Sequence, residues 1–156
     1  MLMSRINSKA NTSLSELKTY QVGVVESAAH RALRKHKDEC LKEYNITGMQ
    51  WYIIGTVADT GVKGIRITDL AKMLDTTLAF LTNTVNLLVS KGILARHVNA
   101  EDNRSNFVVM QKSYQKTYKK IEEELRIKLK KSIYSRVSPE ELETYIKVIN
   151  KFSDLA

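Results

Sequence analysis

Residues 67–94 read ITDLAKMLDTTLAFLTNTVNLLVSKGIL, and the punctuation of this stretch decides the fold. Leu70, Ala71 and Leu74 recur at helical spacing, with Thr68 placed to cap and Asp69 suited to the positive end of a helix dipole. Asp75-Thr76-Thr77 interrupts this helix and caps another. The second helix is expected over 78–90, with Leu78, Leu81, Val85 and Leu88 on one face. Lys91-Gly92 stops it, because glycine accepts the left-handed turn that closes a helix. Two short helices joined by a turn of about three residues form a helix-turn-helix.

The flanking residues turn that unit into a larger motif. Residues 93–98 alternate weakly and are β-branched at both ends, 99–106 are polar and turn-rich, and 107–110 are apolar and β-prone. They predict a two-stranded hairpin with a long tip. Helix, turn, helix and hairpin is the winged helix-turn-helix order. The first short helix braces the second, whose polar face is left free for a major groove, and the hairpin tip reaches the backbone or the adjacent minor groove.

Longer helices lie on either side. Ser13 and Glu16 have capping-box spacing and open a helix expected to run to about Tyr44. Its apolar stripe is Leu14, Leu17, Val24, Val25, Ala28 and Leu33. A rod this long carries more apolar stripe than one small core covers, so a partner chain is the expected cover. Thr47 and Gln50 repeat the capping-box logic, with Trp51, Ile53, Ile54 and Val57 available for the core. Asp59 to Gly64 reads as a turn. Residues 112–136 form a helical pattern with the apolar line Tyr114, Tyr118, Ile121, Leu125, Leu129 and Ile133. Ser138-Pro139-Glu140-Glu141 combines a cap, a first-turn proline and a capping-box carboxylate. It opens a last helix carrying Leu142, Tyr145, Ile146, Val148, Ile149 and Phe152.

The chain has 156 residues and a formal charge of +8, which suits one domain that needs no disulfide or metal staple. At 43% hydrophobic residues and with one proline, it is neither a disordered tail nor a collagen-like repeat. The lone Cys40 cannot form an internal bridge, so a reducing cytoplasm is the expected location. No apolar run approaches the ~18 residues of a membrane span, and residues 1–13 lack an apolar signal core, so neither membrane insertion nor secretion is expected. The basic excess favours polyanions, chiefly nucleic acid, and also fits plain solubility.

The chain resembles the MarR (multiple antibiotic resistance) family of transcriptional regulators. Ile46-Thr47-x-x-Gln50-Trp51 is similar to the opening of that family's second helix, and Ile67-Thr68-x-Leu70-Ala71-x-x-Leu74 to its brace helix. Thr82-Asn83-x-Val85-x-x-Leu88-x-x-Lys91-Gly92-Ile93-Leu94 is similar to its recognition helix and following strand, and Asp102-Asn103-Arg104 to its wing. The resemblance covers about 14 to 152. It implies a mainly α fold with a small β-hairpin wing: a winged helix-turn-helix with long N- and C-terminal dimerisation helices. In one single domain, 1–156, residues 48–111 would form the DNA-reading lobe, and 13–46 with 112–153 the helical dimerisation lobe. It also implies a homodimer on a pseudo-palindromic operator in double-stranded DNA, often relieved by a small-molecule effector. Two departures stand out. The groove-facing side of the second short helix carries no Lys or Arg, with Asn83 and Leu87 where family members often have arginine. The usual glycine after the wing is missing from Met110-Gln111-Lys112-Ser113-Tyr114.

The expected DNA-contacting residues are Thr76, Thr77, Ala79, Phe80, Thr82, Asn83 and Asn86 around the groove, with Lys63, Arg66, Arg96 and the wing Arg104. Asn83 can pair with adenine, and Ala79 or Phe80 can touch a thymine methyl. Lys63, Arg66, Lys91 and Arg96 can meet phosphates. Half-sites would lie about 10 bp apart between centres. Given the resemblance, His30, Trp51 and Tyr52 are candidates for an effector cleft, though aromatics at helical spacing more often serve a core. His36 and Cys40 are four apart on one helix, but two ligands make no zinc site, so no metal or cofactor is expected. No phosphate-cradling glycine loop, Ser–His–carboxylate set or HExxH occurs, so no enzyme is expected. The alternative to a regulator is a winged-helix dimer that binds protein, with weak or no sequence-specific DNA binding, as the apolar Phe80 and Leu87 suggest.

Overall fold

The computed structural model describes residues 18–98 and 106–153. The expected Ser13–Glu16 cap, Leu14, Leu17 and the hairpin tip with Arg104 lie outside the described residues. Helix α1 spans Thr19–Lys42, about 36 Å at 1.5 Å per residue. It stops short of Tyr44 because Asn45 takes a left-handed backbone (φ 56), which short polar side chains tolerate. The chain turns there, and Ile46 N donates to Leu41 O at 3.3 Å. The expected cap then opens α2, Gly48–Asp59. Gln50 N donates to Thr47 Oγ1 at 3.2 Å, and Thr47 N donates to Gln50 Oε1 at 3.1 Å. This reciprocal pair satisfies two backbone amides and lets Gln50 be buried.

Strand β1 (Ile65–Arg66) follows a turn in which Gly61 and Gly64 take positive φ. Helix α3 spans Ile67–Met73 and helix α4 spans Leu78–Ser90. Strands β2 (Leu94–Val98) and β3 (Asn106–Met110) form the expected hairpin. The sheet has a third member: its order is β1-β3-β2, all antiparallel, with Ile65 opposite Val108 and Arg96 opposite Val108 on the other side. The expectation of two strands is corrected here. A two-residue strand has no periodicity of its own, and only its pairing with β3 makes it one.

Thr68 is not the cap of α3. Arg66 holds the N-cap position, its side chain making no capping hydrogen bond, because Ile67, already helical, turns directly from β1 into the core. Thr77 does cap α4, its hydroxyl accepting from Phe80 N at 3.2 Å. Leu81, Val85 and Leu88 are fully buried, whereas Leu78, expected beside them, is 49% exposed at the first turn, where the core ends. Residues 112–136 are not one helix. A 3₁₀ turn (Lys112–Tyr114) leads into α5 (Gln115–Ser132), and Ile133, at φ −123 and ψ −59, breaks it before a second 3₁₀ turn (Tyr134–Arg136). Short 3₁₀ turns commonly close helix ends.

The core gathers Leu41 of α1, Ile53, Ile54 and Val57 of α2, Leu70 of α3, the buried face of α4, Leu94, Val108, and Ile121 and Leu125 of α5. Helix α5 lies along α1, where Lys128 Nζ donates to both carboxylate oxygens of Glu43 at 2.9 Å. The last helix, α6 (Pro139–Ser153), opens with the expected capping box. Glu141 N donates to Ser138 Oγ at 3.2 Å and Ser138 N to Glu141 Oε2 at 2.7 Å. None of its residues is buried.

Candidate nucleic-acid interface

The two faces of α4 differ because its apolar residues are unevenly placed. Leu81, Val85 and Leu88 insert into the core, each contributing about 1.5–3 kcal/mol of burial, and fix the rotation of the helix about its axis. The same rotation turns Ala79, Asn83, Asn86, Leu87 and Ser90 outward, with Phe80 on their flank. Helix α3 braces this arrangement from behind. The turn between the two is closed by Leu74 N donating to Leu70 O at 3.1 Å and Thr76 N to Ala71 O at 3.0 Å, with Asp75 left-handed at φ 45. The outward face is a convex rod of a size that a major groove, about 12 Å wide, admits.

Arg96 on β2 is brought to this face. Its Nη2 donates to Asn86 Oδ1 at 2.6 Å, so two expected contact residues meet each other. Arg66 lies over the Phe107 ring, its guanidinium carbon 5.5 Å from the centroid. Lys63 is exposed in the turn before β1. Lys91, directly after α4, donates to Asn45 O at 3.0 Å and sets its charge at the negative end of the helix dipole. Thr77 is exposed at the start of α4, whereas Thr76 and Thr82 are half-buried. Sequence reasoning missed the Arg96–Asn86 link. The two are ten residues apart and in different element types, and only the hairpin's return over α4 joins them.

The three effector candidates have different surroundings. Trp51 packs on Tyr118 of α5, ring centroids 5.3 Å apart and planes tilted by 33°. Tyr52 is half-exposed, accepts a hydrogen bond from Lys37, and carries that ammonium 3.9 Å from its ring centroid. His30 is exposed on α1 and makes no hydrogen bond or ring contact among the described residues. Cys40 is half-buried against the core, and burial pushes its thiol above the usual cysteine range, with Lys128 opposing. Among the described residues, no three His, Cys, Asp or Glu side chains gather at one metal position, and no helix is long and apolar enough to cross a membrane.

A second exposed surface is apolar. On α6, Tyr145, Ile146, Val148, Ile149 and Phe152 are each 40–59% exposed, and on α1 Tyr20, Val22 and Val24 are similarly open.

Residues 44–105 match the family model described as MarR family. No curated protein matches the chain. Among solved structures, AbsC, a MarR family transcriptional regulator from Streptomyces coelicolor, superposes with a TM-score of 0.75 at 16% identity over 88% of this chain and 95% of its own. A mutant of MarR from E. coli, complexed with operator DNA, gives 0.74 at 21% identity over 84% and 92%. The MepR–DNA complex from S. aureus gives 0.70 at 22% identity over 90% and 100%. The architecture is thus that of the MarR winged-helix structures: mainly helical, with a small antiparallel three-stranded sheet.

Proposed function

We infer that the chain is a DNA-binding transcription regulator of the MarR family, which acts as a homodimer in the cytoplasm and is not an enzyme. One observation carries this reading: α4 is locked into the core along one face, and its other face is exposed and free of charge beside Arg96 of the β-hairpin. Residues 48–111 serve as the reading lobe, and 13–46 with 112–153 as the dimerisation lobe. Each subunit lays α4 into a major groove, with Thr76, Thr77, Ala79, Phe80, Thr82, Asn83 and Asn86 toward the bases and backbone. Lys63, Arg66 and Arg96 face phosphates, and Arg104 of the wing reaches the neighbouring minor groove. The exposed apolar residues of α1 and α6 support dimerisation, since a partner copy presenting the same stripe would remove both from water.

An effector, with His30, Trp51 and Tyr52 as its candidate contacts, would act by population shift. It would favour a spacing of the two reading helices that misses successive major grooves. The test is a gel shift of the purified chain on operator candidates at two salt concentrations. Binding that falls steeply with salt, at a log–log slope of about −0.9 per phosphate neutralised, supports the regulator. Salt-insensitive capture of a single protein, with no duplex bound, supports the protein-binding alternative.

A further inference from the structure

Helix α4 contains no Lys, Arg, Asp or Glu along its whole length. Its exposed face is mostly hydrocarbon: Phe80 is 47% exposed, Leu87 45%, and Ala79 lies in the same stripe. The polar groups along this face are largely engaged. Thr84 Oγ1 donates to Phe80 O at 2.9 Å and Ser90 Oγ donates to Leu87 O at 2.8 Å. Asn86 Oδ1 accepts from Arg96. Asn83 alone among the exposed amides of α4 has no side-chain hydrogen bond among the described residues.

These facts have a consequence in the chemistry of base edges. Guanine shows the major groove two acceptors, N7 and O6, which an arginine or lysine reads best, and α4 has neither. Adenine shows an acceptor and a donor, which a free asparagine amide matches in two bonds. Thymine shows a methyl group, which an apolar side-chain surface complements. We propose that α4 reads an A·T-biased half-site chiefly through thymine methyl groups, packed against Ala79, Phe80 and Leu87, with Asn83 paired to one adenine. The proposal rests on the regulator reading and specifies its target. Arg96, held by Asn86 at the edge of this apolar stripe, supplies charge to the flanking phosphate. Duplex DNA is therefore a better occupant than an apolar protein groove, because the hydrocarbon stripe is bordered by Arg96 and Lys91.

The test starts with selection of bound duplexes from a random library by the full chain, followed by fluorescence anisotropy on the selected site. The expected half-site has A·T pairs under α4. Replacing its thymines by deoxyuridine removes only the methyl group and weakens binding about 4-fold per contacted methyl. Leu87→Ala, on the surface, reduces that sensitivity, and Leu87→Arg, with an unchanged circular-dichroism melt, shifts selection toward guanine. Fixed G·C pairs under α4, or deoxyuridine sites bound as tightly as thymine sites, overturn the proposal and leave the regulator reading standing. Failure to bind any duplex at any salt concentration overturns both.

Discussion

Arg96 Nη2 donates to the side-chain oxygen of Asn86 at 2.6 Å, which joins the first wing strand to the exposed face of α4. The pair is exposed, so its net effect on stability is small, about 0–1 kcal/mol. Its role lies in aim: it orients the guanidinium beside the helix.

Arg96→Ala is therefore expected to weaken DNA binding by a similar factor on every sequence. It should reduce the log–log salt slope by about 0.9, the contribution of one phosphate. The melting temperature stays nearly unchanged. Anisotropy titrations at several salt concentrations, paired with a thermal melt, check both halves.

The two faces of α4 should respond oppositely to the same truncation. Leu81 is fully buried, and Leu81→Ala is expected to cost about 2–5 kcal/mol by urea denaturation. Leu87 is 45% exposed, and Leu87→Ala is expected to stay within about 0.5 kcal/mol. A comparable loss for both would mean that α4 is rotated from the orientation described.

Ile146 and Ile149 are 50% and 40% exposed on α6, a helix with no buried residue. Ile146→Glu and Ile149→Glu together should weaken self-association by roughly 100-fold or more, since each would strand a charge in an apolar interface. Light scattering on a sizing column should show the change from dimer to monomer. DNA affinity should fall with it, because the second half-site no longer adds effective concentration.

Gly64 and Gly92 both have φ +69, yet their replacements should differ. A Cβ at Gly64 would lie 2.7 Å from the Val108 carbonyl oxygen, whereas at Gly92 nothing lies within 4 Å. Gly92→Ala should cost only the left-handed penalty, about 1–2 kcal/mol. Gly64→Ala adds a backbone clash at the β1–β3 pairing and should cost clearly more. Thermal melts of the two variants, side by side, give the ordering.

Burial holds the Cys40 thiol above its ordinary pKa, so at neutral pH it carries less thiolate than a free cysteine. Alkylation of the folded protein should be slower than that of a model thiol, and should rise with pH at a higher midpoint. Denaturant should restore the ordinary rate. A rapid, unshifted reaction in the native state would contradict the half-buried placement.

Much of the fold was legible because local chemistry announces its own boundaries. Thr47 with Gln50, Thr77, Ser138 with Glu141, and Gly92 mark helix ends through hydrogen bonds and φ preferences that lie within a few residues. Helix α4 therefore begins and ends where its sequence says. Expectations weakened where a partner lay far along the chain. Strand β1 exists only because Val108 and Phe107 pair with it. Thr68 looked like a cap until β1 delivered Ile67 directly into the core. Leu78 shares the spacing of Leu81, but the core stops one turn short of it.

The sequence by itself determined the order of elements, the charge-free character of α4 and the apolar excess of the outer helices, since these are properties of residues and their spacing. Only the tertiary structure decided which way α4 faces, that Arg96 closes on Asn86 rather than standing alone, and that no residue of α6 is buried. Each of these depends on contacts between segments distant in the chain. Local propensity does not encode such contacts; packing a single shared core does.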